Sequence, residues 1–95
     1  MRTVKLSDLF QSKAQVKLVE YLLDNAGSQR VFSQSTLAAS LNLSPSTVAR
    51  IVEPLVEQKI LLYERFDQGM KIFTLNEMED KTRTLIEFYT KLKQL

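Results

Sequence analysis

The sequence predicts a mostly helical α+β domain, in which a core of three helices is closed by a β-hairpin and followed by a C-terminal helix. Two observations predict this fold class. Four segments carry apolar residues at steps of three and four, the period of an amphipathic helix. Two runs rich in β-branched and aromatic residues, 60–66 and 70–75, are separated by three residues ending in glycine, as in a β-hairpin.

The length of 95 residues suits a single domain, residues 1–95, with one core. We divide it into a short leader over 1–11, a core over 12–76 and a C-terminal helix over 77–95. Thirteen basic residues against eleven acidic ones give a net charge of +2, so any basic surface must arise from local clustering.

The first helix is predicted to begin at Ser12 and to be stopped by Gly27 in the left-handed conformation. Gln15 lies three residues after Ser12, so its side chain is expected to reach back to the cap in a capping box. A short edge strand is expected at 30–32. The buried face of the helix is predicted to consist of Val16, Val19, Leu22, Leu23 and Ala26.

Two helices follow, joined by only a few residues, as in a helix-turn-helix. Ser33 is the predicted N-cap of the first, and Asn42 is expected to end it because asparagine tolerates the left-handed conformation. The second is predicted over 44–58, with Ser44 as its cap and Pro45 at its first position.

The hairpin is expected to turn at Asp67-Gln68-Gly69, where glycine suits a bulged loop. Asn76 is then expected to cap the final helix, with Glu79 at its third position. An apolar stripe runs along this helix and consists of Leu85, Phe88, Tyr89, Leu92 and Leu95.

Three stretches, LSDLFQSKAQVKLVEYLLDN, STLAASLNLSPSTVARIVEPLVEQKIL and YERFDQGMKIFTLNE, resemble the winged helix-turn-helix regulators of the ArsR and MarR type. They are most similar to the small versions common in archaea and their mobile elements. The resemblance covers about residues 6–77 and implies a winged-helix fold that binds double-stranded DNA. Lys59 departs from the family pattern, which often has glycine there, so the 44–58 helix needs another way to end.

The start of the 44–58 helix is the predicted DNA-binding site. A helix N-terminus favours anions, so its first residues are expected to contact phosphate. Arg50 points away from the apolar face and can donate two hydrogen bonds to guanine O6 and N7 in the major groove. The alternative is ordinary capping with a solvated arginine. The residues predicted at this site are Ser44, Pro45, Ser46, Thr47 and Arg50.

Pro54 and two glutamates, Glu53 and Glu57, complicate this helix. Proline removes one backbone hydrogen bond and crowds the preceding turn, so a bend is expected after residues 45–50. The glutamates would then be held away from phosphate, or would pair with nearby basic residues such as Lys59. The alternative is that Pro54 is tolerated and has no functional role.

Arg65 and Lys71 flank the hairpin turn and are expected to lie along the minor groove or its phosphates. Asp67 opposes such contact because its charge has the wrong sign. The alternative is a solvated turn that carries two charges.

The apolar stripe of the final helix is expected to pair with a second copy of the chain, because a domain this small has little core left for it to cover. The alternative is that the stripe completes the core of one chain. The leader is expected to help the pairing through Leu6, Leu9 and Phe10. Four basic residues would flank this interface between the two copies, namely Lys81, Arg83, Lys91 and Lys93.

Several function classes have no support in the sequence. No cysteine or histidine is present to activate a nucleophile or hold zinc, so no enzymatic activity, cofactor or small-molecule ligand is expected. Glu77, Glu79 and Asp80 are better explained as carboxylates at a helix start than as metal ligands. No apolar run reaches the roughly 18 residues of a membrane span, and no signal peptide is visible, so a cytoplasmic protein is expected.

The sequence therefore favours a dimeric, sequence-specific DNA-binding regulator, above all of transcription. Two 44–58 helices related by a two-fold axis would meet a pseudo-palindromic site. Two alternatives stay open. One is an architectural protein that binds DNA without sequence preference, and the other is a winged-helix module for protein assembly.

Overall fold

The computed structural model describes residues 12–66 and 69–95, so the leader, with Leu6, Leu9 and Phe10, and the turn residues Asp67 and Gln68 lie outside the described residues. The described residues form four helices and three strands. In chain order these are α1 Lys13–Asp24, β1 Val31–Ser33, α2 Gln34–Leu41, α3 Pro45–Glu57, β2 Leu61–Arg65, β3 Lys71–Leu75 and α4 Asp80–Lys93. The predicted fold class, a helical core with a β-hairpin wing and a C-terminal helix, is confirmed.

The three strands form one antiparallel sheet in the order β1–β3–β2. Phe73 of β3 is opposite Phe32 on one side and Tyr63 on the other. The predicted short strand is therefore confirmed as an edge strand, and it joins the wing to the helical core. Because residues opposite each other in an antiparallel pair project from the same face, this register directs Phe32 and Phe73 together into the core.

The core lies between the helices and the inner face of the sheet. Each helix contributes its apolar stripe, and each large side chain so buried stabilises the fold by about 1.5–3 kcal/mol. The buried apolar residues are Leu18, Val19, Leu22, Ala26, Phe32, Leu37, Ala38, Val48, Ile51, Val52, Leu55, Ile60, Leu61, Phe73 and Leu75. Val16 was also predicted to be buried, but it is 37% exposed. It borders the open cleft between α1 and α4.

The three predicted serine caps are confirmed. The Oγ atoms of Ser12, Ser33 and Ser44 each accept a hydrogen bond from the backbone N–H three residues later, at 3.1, 3.1 and 3.2 Å. Each bond satisfies a donor that the first turn of a helix leaves without an internal partner. The start of each of these helices is thus encoded by its local sequence.

The side chain of Gln15, predicted to reach back to the cap of α1, contacts another helix. Its side chain is buried, and its Nε2 donates to the backbone oxygen of Ile51 in α3 at 3.0 Å. A buried amide needs such a partner, because leaving it without one costs about 1–3 kcal/mol. Gln15 therefore ties α1 to α3, a role that its spacing from Ser12 did not reveal.

The predicted end of the first helix is wrong. Helix α1 ends at Asp24 with Asn25 at φ −99°, and Gly27 is not among the residues with positive φ. The side-chain Nδ2 of Asn25 donates to the oxygen of Tyr21 at 2.8 Å, so asparagine, rather than a left-handed glycine, satisfies the helix end. The matching prediction for the next helix is confirmed, since Asn42 has φ 55° and ψ 47°.

Lys59 ends α3 by adopting the conformation that glycine would favour. Its φ is 63°, its N–H donates to Val56 O at 3.0 Å, and the N–H of Ile60 donates to Leu55 O at 2.9 Å. These two bonds form a Schellman motif, and the buried side chains of Ile60 and Leu55 supply the apolar contact that accompanies it. The chain therefore replaces glycine with a lysine held in the left-handed region.

The predicted start of the last helix is also wrong. Helix α4 begins at Asp80 and is preceded by Glu79, which makes no side-chain capping bond. Asn76 Oδ1 instead accepts from the N–H of Met78 at 3.2 Å, while Asn76 Nδ2 donates to Lys59 O at 2.9 Å. Asn76 thus joins the hairpin exit to the end of α3, and the helix starts three residues later than expected.

Candidate nucleic-acid interface

Helix α3 presents a polar face to solvent. Its buried residues lie on one side, and at about 100° per residue Ser46, Arg50, Glu53 and Glu57 all lie on the opposite side. All four are exposed. Arg50 stands towards the start of α1, where it shares a cleft with Ser12, whereas the two glutamates stand towards the wing.

Polar groups converge at the open end of α3. Ser44 Oγ lies 2.8 Å from Thr47 Oγ1 and 3.2 Å from Ser46 Oγ. Ser44, Pro45 and Ser46 are exposed, and Thr47 is half-buried because its hydroxyl closes the cap. An anion approaching this end would meet hydroxyl groups and the positive end of the helix dipole.

A second helix start lies beside the first, and sequence reasoning missed it. Gln34 Nε2, at the start of α2, donates to Pro45 O at 2.7 Å. The two starts carry the same four-residue pattern, SQST at 33–36 and SPST at 44–47, and they form the same cap. In α2 the Oγ of Ser33 lies 2.7 Å from Thr36 Oγ1, as in α3. This repeated four-residue pattern could have revealed the second helix start from the sequence.

The wing reaches these two helix starts. Gly69, Met70 and Lys71 line one wall of a cleft of about 220 Å³, and the other wall consists of Gln34, Ser35 and Pro45. The hairpin forms as predicted, with Gly69 at φ 81° and Phe66 N–H donating to Met70 O at 2.9 Å. Lys71, α2 and α3 therefore border the same cleft.

Arg65 and Lys71 are directly opposite each other in the last described pair of the β2–β3 ladder. They project from the same face as Tyr63 and Phe73, whose ring centroids are 5.5 Å apart, and this face is turned towards α3. Arg65 is exposed and Lys71 is half-buried. Two like charges opposite each other are unfavourable in isolation.

Glu53 and Glu57 border an apolar groove of about 240 Å³ between α3 and the wing, beside Tyr63 and Lys71. Helix α3 continues through Pro54 to Glu57 without interruption, so both glutamates remain on it. Within residues 12–66 and 69–95 neither forms an ion pair, and the predicted pairing with Lys59 does not occur.

The apolar stripe of α4 divides into two parts. Leu85 packs against the core, together with Ile86, which sequence reasoning missed, and Thr82 is fully buried. Phe88 is 62% exposed, and Leu92 is 51% exposed. These two border an apolar cleft of about 370 Å³ with Val16, Val19, Leu23 and Tyr89. Leu95, at the end of the stripe, is 98% exposed.

The outer part of α4 is tied to α1 by polar contacts. Tyr89 donates its hydroxyl hydrogen to Asp24 Oδ1 at 2.8 Å, and Lys93 Nζ lies 2.8 Å from the same oxygen. The hydrogen bonds from Lys93 and then from Tyr89 lower the pKa of Asp24. The same contact with Asp24 raises the pKa of Tyr89 and of Lys93.

The carboxylates near the start of α4 are each paired with a basic side chain. Glu77 pairs with Arg30, Asp80 pairs with Arg83, and Glu79 lies 3.2 Å from Lys81 Nζ. Asp80 also lies in the first turn of α4, where a negative charge is favoured. In the part of the chain that the structure describes, no helix is long and apolar enough to cross a membrane.

No family model and no curated protein matches the chain, but solved structures do. A possible transcriptional regulator from Methanosarcina mazei Go1 is 24% identical, over 98% of this chain and 87% of its own, with a TM-score of 0.61. A zinc-responsive MarR family member from Lactococcus lactis is 21% identical, and the match covers 95% of this chain and 55% of that protein, with a TM-score of 0.62. The Staphylococcus aureus MepR–DNA complex is 20% identical, over 93% and 71%, with a TM-score of 0.65. The predicted likeness to MarR-type winged-helix proteins is confirmed at the level of the fold.

Proposed function

We propose that the protein is a sequence-specific DNA-binding regulator of transcription, which binds as a homodimer and reads the major groove with α3. The observation that carries this proposal is the meeting of three features at one cleft. The start of α2, the start of α3 and Lys71 of the wing border the same space, and Arg50 stands exposed on the outward face of α3. Structures of the same fold include transcription regulators, one of them bound to DNA, which supports the proposal.

Each feature has a chemical role towards a duplex. The two helix starts offer hydroxyl groups and partial positive charge to the phosphates that separate the major from the minor groove. Arg50 of α3 then faces base edges, where a guanidinium binds guanine O6 and N7 with two hydrogen bonds. Arg65 and Lys71 carry two positive charges on the wing, which would follow the adjacent minor groove or its phosphates.

The homodimer part of the proposal rests on the outer half of α4. Phe88, Leu92 and Val16 expose apolar surface around one cleft of the described part of the chain. Burying several such side chains against a second copy would favour association, since each contributes about 1.5–3 kcal/mol when fully buried. A two-fold dimer would place two α3 helices about one helical turn of DNA apart, as a pseudo-palindromic site requires.

Selection of bound duplexes from a randomised pool, followed by titration of the selected and scrambled duplexes, tests the proposal. A pseudo-palindromic consensus bound at least about 10³-fold more tightly than scrambled DNA is expected. Tight binding without a consensus would instead indicate an architectural protein. No binding at low salt would leave the protein-assembly alternative, which the two glutamates on the outward face of α3 would then explain.

A further inference from the structure

We propose that Glu53 is a second base-reading residue of α3, and that its carboxylate accepts a hydrogen bond from the exocyclic amino group of a cytosine in the major groove. The inference rests on the proposed function, since it assigns a specificity-determining role within the same interface. Glu53 is the group on the outward face of α3 that general electrostatics would least expect beside DNA.

Glu53 lies on the outward face of α3, at the edge of the groove that faces the wing. Because α3 runs unbroken through Pro54, Glu53 remains on the outward face with Arg50. The two residues are about 60° apart around the helix axis and about 4.5 Å apart along it. Base pairs are spaced about 3.4 Å along a duplex, so the two side chains face neighbouring base pairs.

Glu53 borders the groove between α3 and the wing together with Lys71, but the two do not form an ion pair. Glu53 is exposed, and no ion pair joins it to any residue within 12–66 or 69–95. Glu79 and Asp80 show the contrast, because each has a basic partner. A carboxylate that is free in this way on the face turned to DNA must either lower affinity for every sequence or discriminate between bases.

The chemistry of the groove selects cytosine. An ionised carboxylate can only accept hydrogen bonds. Guanine presents two acceptors in the major groove and thymine presents O4 and a methyl group, so both repel it or offer it nothing. Adenine has one donor, N6, beside the acceptor N7, whereas cytosine presents the N4 amino group without an adjacent acceptor on the same base. Glu53 therefore favours cytosine and rejects guanine and thymine.

Glu57 provides the matched control. It has the same charge and is exposed on the same face, but it is the last residue of α3, one turn farther from the end where the helix starts meet the wing. Replacing either glutamate with alanine removes one negative charge from an exposed helical position. Both substitutions should change the general repulsion from phosphate in a similar way. Only the Glu53 substitution should change the discrimination between bases.

The test begins with selection of the preferred duplex by the wild-type protein. Wild-type, Glu53→Ala and Glu57→Ala proteins are then titrated by fluorescence anisotropy against duplexes carrying each of the four bases at every position of one half-site. The wild type should prefer cytosine over guanine or thymine by about 5- to 150-fold at one position next to the guanine read by Arg50. Circular dichroism checks that the variants remain folded.

Glu53→Ala should reduce that preference to within about twofold and should strengthen binding to the mismatched duplexes, because the repulsion is removed. Glu57→Ala should retain the preference and change all four affinities alike. In Glu53→Gln the preference should move towards adenine, which glutamine binds with two hydrogen bonds. If Glu53→Ala retains both the cytosine preference and the guanine preference, the inference about Glu53 is overturned and the proposed function is not. A wild-type protein that selects no sequence would overturn the proposed function as well.

Discussion

Tyr89 and Asp24 join the last helix to the first, through a hydrogen bond of 2.8 Å from the tyrosine hydroxyl to Asp24 Oδ1. Asp24 is the final residue of α1, where a carboxylate is disfavoured by the helix dipole unless other groups neutralise it. Lys93 supplies the opposite charge, and Tyr89 adds a hydrogen bond. The contact holds α4 against the helical core, so in a dimer formed through α4 it would also help to set the separation of the two α3 helices.

The stabilisation from Asp24 should depend on pH. Its pKa is lowered below 3.8 in the folded protein by the hydrogen bonds from Lys93 and Tyr89, so the unfolded chain takes up a proton first as pH falls. The contribution is therefore complete above pH 3.8 and is lost as pH falls through the lower, folded pKa. Thermal unfolding of wild-type and Asp24→Asn proteins between pH 7 and pH 2 measures it.

The difference in unfolding temperature between these two proteins should be small, because the pair is exposed, and constant near neutral pH. It should shrink in the acid range below pH 3.8. A difference that stays constant to pH 2 would show that the Asp24 carboxylate makes no favourable contact in the folded protein.

Lys59→Gly should stabilise the fold. A residue with a side chain is strained in the left-handed region by about 1–2 kcal/mol, and glycine is not, although glycine also loses more chain entropy on folding. The net gain should be about 0.5–1 kcal/mol, measured as an increase in the midpoint of urea unfolding at unchanged slope. The lysine side chain is exposed, so its removal should cost little.

Asn42→Gly is the control for this prediction. Asn42 has nearly the same φ as Lys59, 55° against 63°, but asparagine tolerates that conformation better. Replacing Asn42 with glycine should increase the free energy of unfolding less than replacing Lys59 does. An equal gain at both sites, or a loss at Lys59, would refute the explanation of how α3 ends.

Features encoded within a few residues could be predicted from the sequence. The Ser12, Ser33 and Ser44 caps, the left-handed Asn42 and the Gly69 turn each depend on one residue and its immediate neighbours. The exposed face of α3 followed from the same local patterns, since Arg50 lies opposite a regular apolar stripe. Such features need no knowledge of distant contacts.

Features that depend on contacts between distant residues could not be predicted. By its local sequence Asn76 could cap a helix, but in the folded protein its Nδ2 donates to Lys59 O and its Oδ1 accepts from the N–H of Met78. Gln15 is likewise bound by Ile51, 36 residues away. The starts of α2 and α3 are joined by the hydrogen bond from Gln34 to Pro45, and spacing along the chain does not indicate that contact.

Phe88→Ser combined with Leu92→Ser should convert a homodimer into a monomer. Both side chains are more than half exposed within one chain, so the substitutions should remove apolar interface while changing the stability of the monomer little. Light scattering at micromolar concentration measures the mass. This test is better than truncation after Asn76, because Thr82 is buried and Leu85 packs against the core, so a shortened chain would lose core contacts.

Leu62→Ser provides the control for the dimer prediction. Leu62 is 49% exposed, but it lies on β2 of the wing and not on α4. It should leave the measured mass unchanged. If the wild-type protein has the mass of one chain, or if the Phe88 and Leu92 variant retains the mass of two, then α4 is not the interface.

Arg65→Ala combined with Lys71→Ala should weaken binding to all duplexes and flatten its salt dependence. Each phosphate contact contributes about 0.9 to the slope of log affinity against log salt, so four lost contacts in a dimer would reduce the slope by about 3.6. Titrations from 50 to 200 mM salt, about the range over which this effect is large, measure it. The control, Lys17→Ala, removes an exposed positive charge on α1, outside the wing. An unchanged slope in the wing variant would show that the wing does not touch DNA.

The central claim is that α3 reads base sequence, and the binding of Arg50→Ala to the selected and scrambled duplexes tests it most directly. Arg50 is exposed on the outward face of α3, so its loss should not disturb the fold. We expect affinity for the selected duplex to fall by about 1–3 kcal/mol per half-site, with a much smaller fall for scrambled DNA and relaxed preference at one guanine. Equal losses on both duplexes, or no loss on either, would contradict the claim.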